Sequence, residues 1–277
     1  MPERGAPMPK LLYGTAWKKE RTQPLVEQAV RCGFRGIDTA CQPRHYFEPG
    51  VGAALQALAA EGIARAALYV QTKFTPAEGQ DPQNIPYNPA APLAQQVECS
   101  FAVSCANLHT DYLDAYILHL PLFPSTRLMQ VWRAMEAIAR AGGALRLGLS
   151  NCYDLRTLER LYGEAEVKPA VLQNRFYADT GYDVALRAFC DANGIVYQSF
   201  WSLTANPRLL GSDTVVRAAM ARRVETPQIL YAYLMTKGIV PLDGTTSETH
   251  MKADLKVETI PLTPEEIAAI DAMVEAG

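Results

Sequence analysis

Three side chains in or at the ends of apolar runs, with a tyrosine in the loop beyond the first, are the candidates for chemistry in this sequence. Asp38 closes the short run Gly36-Ile37, and the loop beyond it holds Cys41, Gln42, Arg44, His45, Tyr46 and Glu48. Loops held by a rigid strand–helix frame are where reactive groups are usually placed. Lys73 lies in YVQTKF and His119 in ILHLP. An ammonium in such a setting is costly to desolvate unless an acid pairs with it, and Asp38 is the natural partner. A charged imidazole is disfavoured in ILHLP, so His119 reads as a neutral hydrogen-bond donor. Alone, Asp38 would pass for a turn cap and His119 for a satisfied core residue. Beside a lysine and a loop tyrosine they read as a site.

Positioning these groups requires a frame, and the pattern of apolar runs supplies one. Strands are predicted at 10–17, 37–40, 67–74, 112–120, 144–151, 171–176, 196–201 and 239–242. Helices are predicted at 21–32, 51–61, 93–108, 126–141, 155–165, 182–192, 226–237, from about 247, and at 263–276. A long proline-rich loop, 75–92, and an irregular stretch after 201 interrupt the alternation. Strands that are apolar throughout are buried on both faces. Eight strand–helix units in 277 residues predict an α/β fold, a (β/α)8 TIM barrel, as one domain over 1–277 with a flexible segment at 1–9. A doubly wound open sheet is the alternative. No GxGxxG follows any strand, so its dinucleotide-binding form has no support. Barrel sites form at the C-terminal strand ends, which here carry Trp17, Asp38, Lys73, His119, Ser150, Asn151, Gln173, Phe200 and the GTT of 244–246.

A net charge of −3 gives no reason to expect nucleic acid or an acidic membrane as partner. No apolar run is long enough to span a bilayer, and the N-terminus lacks a secretory signal. The six cysteines have no zinc-like spacing, so no metal site is expected and reduced thiols in the cytoplasm are.

In order along the chain, GFRGIDTA, the VG-AL of 51–55, TKF at 72–74, ILHLP at 117–121, GLSN at 148–151, VLQNRF at 171–176 and PLDGTTSETHMKADL at 241–255 resemble the signatures of the aldo-keto reductases. The resemblance covers nearly the whole chain. It implies a barrel that binds a nicotinamide dinucleotide without a Rossmann fold and reduces aldehydes or ketones to alcohols. The family's catalytic tetrad would fall on Asp38, Tyr46, Lys73 and His119. Hydride addition builds negative charge on the carbonyl oxygen, which needs a proton donor as it forms. Tyr46 would be that acid, Lys73 would lower its pKa, Asp38 would hold Lys73, and His119 would aim the oxygen. The tyrosine departs from the pattern. The family spaces this Asp and Tyr five residues apart, whereas Pro43 stands there in this chain and Tyr46 comes at eight. Tyr46 must therefore fold back.

The resemblance places Ser150, Asn151 and Gln173 on the nicotinamide carboxamide and Thr15, Ser202 and Leu203 along the cofactor. Phe200 is the expected stacking ring, with Trp201 the alternative if the register shifts by one. Gly244, Thr245 and Thr246 offer backbone donors for phosphate. His250 stands at the family's phosphate-binding arginine, with Lys252 within a turn of it. The usual Lys-Ser is replaced by Leu242-Asp243, and an acid there would oppose a 2′-phosphate. NADPH is expected ahead of NADH. Trp17, Phe47, Phe74 and Phe123 are expected to line the substrate pocket, with 75–92 as one wall. The chain ends directly after its last predicted helix, without the tail that closes the pocket in many relatives. A monomer or weak homodimer acting on a small carbonyl compound is expected. Two other readings stand beside it. One is a nicotinamide-dinucleotide-binding regulatory subunit with little turnover. The other is an isomerase or aldolase using Lys73 as a Schiff base, which pairing with Asp38 opposes by keeping the amine protonated.

Overall fold

A computed structural model describes residues 5–276. Eight parallel strands close on one another in sequence order, β1 (Leu12–Gly14), β2 (Gly36–Asp38), β3 (Tyr69–Phe74), β4 (Ala115–Leu118), β5 (Leu147–Ser150), β6 (Val171–Arg175), β7 (Val196–Phe200) and β8 (Val240–Asp243), the last pairing with the first. The predicted barrel is thus the fold, and the open sheet is excluded. Helices α1 (Thr22–Cys32), α2 (Glu48–Ala60), α3 (Leu93–Leu108), α4 (Ser125–Arg140), α5 (Leu155–Glu164) and α6 (Val184–Asn193) follow the first six strands. Three helices, α7 (Pro207–Leu210), α8 (Asp213–Arg222) and α9 (Thr226–Thr236), separate β7 from β8. The chain continues through α10 (Glu248–Asp254) and α11 (Pro264–Glu275).

Side chains alternate between the two faces of each strand. In β3, Val70 and Phe74 join the outer core under the helices, while Tyr69 joins a separate cluster inside the barrel with Leu12, Ala115, Ile117, Val171 and Leu242. Above this apolar layer the interior turns polar at Asp38, Gln71, Lys73, Gln173 and Gln198, all buried. Apolar filling at the base and hydrogen-bonded polar groups at the C-terminal end set the site where the strands finish.

Several predicted boundaries move. The strands are shorter than the apolar runs because flanking residues stay extended without pairing in a ladder; Leu113, for one, keeps only an isolated bridge to Ala144. α2 begins at Glu48, not 51, with Pro49 in its first turn where a missing N–H costs nothing. Glu48 is buried and accepts from Thr72 Oγ1 at 2.5 Å, Ser104 Oγ at 2.8 Å and Asn107 Nδ2 at 3.2 Å. Four residues on, α2 and α3 touch so closely that a Cβ on Gly52 would sit 1.9 Å from the Asn107 carbonyl oxygen. The stretch read as irregular holds α7 and α8, whose buried faces are sparse: Leu209 in the first, Val215, Ala218 and Ala219 in the second. Of the segment expected to be flexible, residues 1–4 lie outside the described residues, while 5–9 pack on the base of the barrel. The Ala6 N–H donates to Asp114 Oδ1 at 3.0 Å, and Pro9 lies beside Gly36.

Candidate active site

The site grows from one buried ion pair. Asp38 ends β2 and Lys73 lies on the neighbouring β3. Lys73 Nζ donates to both carboxylate oxygens at 2.7 Å and to the Thr39 carbonyl at 2.9 Å. Burial pulls the ammonium's pKa down and the Asp38 charge opposes it. Asp38 Oδ1 also accepts from Gln71 Nε2 at 2.7 Å and Gln173 Nε2 at 2.9 Å, and both glutamines donate to Gln198 Oε1. The carboxylate is therefore held from two strands, β3 and β6, and both its oxygens are partnered, as a buried charge must be. Gln71 and Gln198 were not singled out from the sequence. Their signal is a glutamine in an apolar run, on the same strand face as a residue of the site.

The lengthened loop does fold back. Gln42 N–H donates to the Ala40 carbonyl, and the Gln42 carbonyl accepts from both His45 and Tyr46 N–H at 3.2 and 3.0 Å. The turn so formed is fastened on two sides. Gln42 Nε2 reaches the Gly79 carbonyl at 2.7 Å, and the His45 carbonyl accepts from Trp17 N–H at 2.7 Å while the two rings meet at 4.0 Å. The extra residues are taken up in this turn. Tyr46 returns to the ion pair, its ring centroid 5.1 Å from Lys73 Nζ and 6.0 Å from the His119 ring. The ammonium meets the ring face, and no hydrogen bond joins it to the phenol. Burial first and the Asp38 charge second push the phenol well above its usual pKa. Burial and Asp38 thus act against the lowering expected from Lys73 and favour the protonated phenol.

His119 extends past β4, its N–H donating to the Phe74 carbonyl at 2.8 Å. Its Nδ1 lies 2.7 Å from Thr75 Oγ1. Burial, then the charges of Lys73 and His45, hold the imidazole well below its ordinary pKa, so it is neutral. Thr75, missed in the sequence, can donate to Nδ1 and so leave the proton on Nε2.

The residues expected along a cofactor lie on the strands of the barrel, in the loops beyond them and on α10. Ser150 at the end of β5 pairs in register with Gln173 in the middle of β6. Asn151, in the left-handed region at φ 52°, donates to the His119 carbonyl at 2.8 Å and to Ser150 Oγ at 3.2 Å. Phe200 faces inward with Gln198, whereas Trp201 has left the strand at φ 56° and is half exposed. Ser202 Oγ bonds Ser199 Oγ at 2.8 Å, the Leu203 carbonyl accepts from Asn206 N–H, and Thr15 Oγ1 donates to the Asp38 carbonyl at 2.9 Å. In the β8–α10 loop the Gly244 carbonyl accepts from Lys18 Nζ at 2.8 Å, Thr245 N–H donates to Asp243 Oδ1 at 2.8 Å, and Thr246 is exposed. His250 Nε2 lies 3.9 Å from Glu225, and Lys252 is bonded to Glu248. Asp243 is buried and turned toward Asp254; burial, then Asp243, raise the Asp254 carboxyl to about 8.

Trp17, Phe47 and Phe123 are exposed rings. Phe74 is not at the mouth: it alternates with Lys73, is fully buried, and packs on Tyr87 at 5.6 Å, so it offers no surface to a pocket. The loop 75–92 is anchored there too, by Tyr87 Oη donating to the Thr75 carbonyl at 2.6 Å.

The sequence pattern of the "Aldo/keto reductase family" matches residues 10–275. Among curated relatives, a Bacillus subtilis protein described as "Uncharacterized oxidoreductase YtbE" is 27% identical, covering 98% of this chain and 91% of the relative. The Bacillus subtilis "Glyoxal reductase" is 27% identical over 90% of this chain and 82% of its own. Human "Aldo-keto reductase family 1 member A1" is 27% identical over 97% and 87%. Among solved structures, an aldo/keto reductase from Brucella melitensis superposes with a TM-score of 0.80 at 25% identity, covering 96% of this chain and 95% of that one. A Bombyx mori aldo-keto reductase in complex with NADP gives 0.79 at 24% identity over 96% and 89%.

Proposed function

Because the chain belongs to the aldo/keto reductase family, we propose that it reduces aldehydes or ketones to alcohols with NADPH, Tyr46 serving as the acid. Family members are oxidoreductases of carbonyl and alcohol groups that use NAD(P). The observation that carries the residue assignment is the convergence of Tyr46 and His119 on the buried Lys73–Asp38 pair. The polar set suits a nicotinamide carboxamide: Gln173 and Asn151 have each committed both amide hydrogens and keep their carbonyls as acceptors, and the Ser150 hydroxyl between them remains a donor. Phe200 supplies a flat face for stacking. When bound, the dinucleotide supplies the hydride.

The protein's part is to hold a proton and aim an oxygen. Tyr46 keeps its proton at Oη and releases it as charge builds on the substrate oxygen. A neutral His119 donates from Nε2 to the same oxygen, fixing its direction and sharing the charge. Lys73 keeps positive potential beneath the Tyr46 ring, which offsets the negative charge that grows on the phenol oxygen as the proton leaves. Asp38, locked by Gln71 and Gln173, orients the lysine. Trp17, Phe47 and Phe123 are the rings we place around the substrate, in an arrangement suited to small carbonyl compounds.

His250 and Lys252 are the cations that would meet a 2′-phosphate, and both have acidic neighbours in Glu225 and Glu248. Gly244, Thr245, Thr246, Ser202, Leu203 and Thr15 would lie along the rest of the dinucleotide. This reading extends to a cytoplasmic monomer or weak homodimer. Six free cysteines suit a reducing compartment, and no helix among the described residues is long and apolar enough to cross a membrane. Loss of NADPH absorbance with a panel of aldehydes tests the activity. Tight NADPH binding with no turnover above background for any carbonyl would favour the regulatory-subunit reading instead.

A further inference from the structure

Arg175 is a charged residue at the mouth for which the mechanism has no use. It is the last residue of β6, on the same inward face as Gln173 and in register with Phe200. Its guanidinium carbon lies 4.3 Å from the Trp201 ring centroid and 4.9 Å from that of Tyr177. Its backbone N–H donates to Tyr153 Oη at 3.1 Å, and the Tyr153 ring stands 6.3 Å from Tyr177. Two aromatic faces thus hold the planar cation, and its main chain is tied to a third ring. Among the described residues, Arg175 has no acidic partner within ion-pair distance. Its Nε is buried and makes no hydrogen bond.

A buried donor without an acceptor is costly, and this one belongs to a group whose fork matches a carboxylate in two parallel bonds. Stacking between rings reduces the side chain's freedom before any ligand arrives, so little entropy is lost in binding. The strand position narrows the ligand further. β6 lies between β5, which ends in Ser150, and β7, which ends in Phe200. The residues offered to phosphate lie in the loop after β8 and on α10. Arg175 therefore stands at the redox end of the site.

We propose that Arg175 binds the carboxylate of an acidic carbonyl substrate, so that this chain prefers oxo acids to uncharged aldehydes of the same shape. The proposal rests on the reductase reading and deepens it. A cofactor phosphate is the other oxyanion the same fork could take, and the test separates the two.

Wild type and Arg175→Gln are compared on 4-carboxybenzaldehyde and benzaldehyde, with NADPH affinity and binding of 4-(hydroxymethyl)benzoate to the NADP+-loaded protein measured on the same preparations. The wild type is expected to favour the acidic aldehyde. In Arg175→Gln the kcat/KM ratio of acidic to neutral aldehyde should fall roughly 10- to 100-fold, the range for a lost hydrogen bond to a charged group. Weaker binding of the acid should accompany it, and Arg175→Lys should recover part of the ratio. An unchanged ratio with unchanged acid binding overturns the proposal. So does a loss confined to NADPH affinity, which would assign the guanidinium to a cofactor phosphate. If neither aldehyde is reduced, the reductase reading fails, and acid binding that depends on Arg175 still decides this proposal.

Discussion

Gln173 Nε2 stands 2.9 Å from Asp38 Oδ1, the same oxygen that holds Lys73. A residue we place against the cofactor and the pair we place behind the acid are therefore joined through one atom across the barrel. Replacing Gln173 by Leu should disturb both functions. NADPH affinity and turnover are expected to fall together, by roughly tenfold each for one lost charge-assisted hydrogen bond. Fluorescence titration and steady-state kinetics on the same variant check it, and a loss confined to one of the two would separate the roles.

Lys73→Met should abolish reduction while leaving NADPH binding largely intact. It also strands Asp38 as a buried charge, so stability should drop by roughly 3–5 kcal/mol. Adding Asp38→Leu to the same chain should recover much of the stability and none of the turnover. Denaturant titration and aldehyde-dependent NADPH oxidation read the two quantities separately. A Lys73→Met protein that binds cofactor and reduces aldehydes at the wild-type rate would refute the catalytic assignment.

Tyr46→Phe should lower kcat by about 10²- to 10⁴-fold, the usual contribution of a positioned proton donor. The phenol's raised pKa adds a spectroscopic expectation for the protein without ligands. The phenolate absorbance assigned to Tyr46, wild type minus Tyr46→Phe, should not emerge around the ordinary tyrosine value of about 10. Its appearance below that value would mean that Lys73 already tunes the phenol in the resting protein.

Asp254 gives a stability prediction with a definite sign. Burial and the charges of Asp243 and Glu225 raise its carboxyl from 3.8 to about 8; Lys18 and His250 act on Asp243 in the opposite sense. Between those two values the folded chain keeps a proton that the unfolded chain gives up. The contribution to stability is complete at the acid end of that window and is lost as pH rises through about 8. Asp254→Asn should flatten this part of the profile, with its largest gain relative to wild type above that pH. Melting curves of both proteins across the neutral and mildly alkaline range check it.

At the far end of the proposed cofactor site, His250→Ala should raise the KM for NADPH by a few fold and leave that for NADH nearly unmoved, the modest size of an exposed charge contact. Equal losses for both cofactors would remove His250 from the 2′-phosphate.

Much of this architecture was legible because chemistry and periodicity point the same way. A lysine in YVQTKF demands an acid, and the strand order delivers Asp38 beside it. The helix at 93–108 was read to the residue because its apolar face and the flanking Pro92 and His109 leave little choice of ends. Phe74 was misplaced although the signal was present: neighbours on a strand face opposite ways, so a residue next to an inward Lys73 must point out. The Tyr46 turn depends on hydrogen bonds to Trp17 and Gly79, partners distant in sequence that no local pattern encodes. Thr75 and Gln198 were passed over because a small hydroxyl and an amide announce no charge, yet they set the imidazole and the glutamine belt.

That belt gives the barrel wall leverage over the amine. Gln198 sits on β7 and reaches Asp38 not directly but through hydrogen bonds to the two glutamines that grip it. A substitution there would slacken both grips at once, and the lysine would swing with the carboxylate that tethers it. On the proposed assignment, the lysine's position is thus set in part from the opposite wall of the barrel.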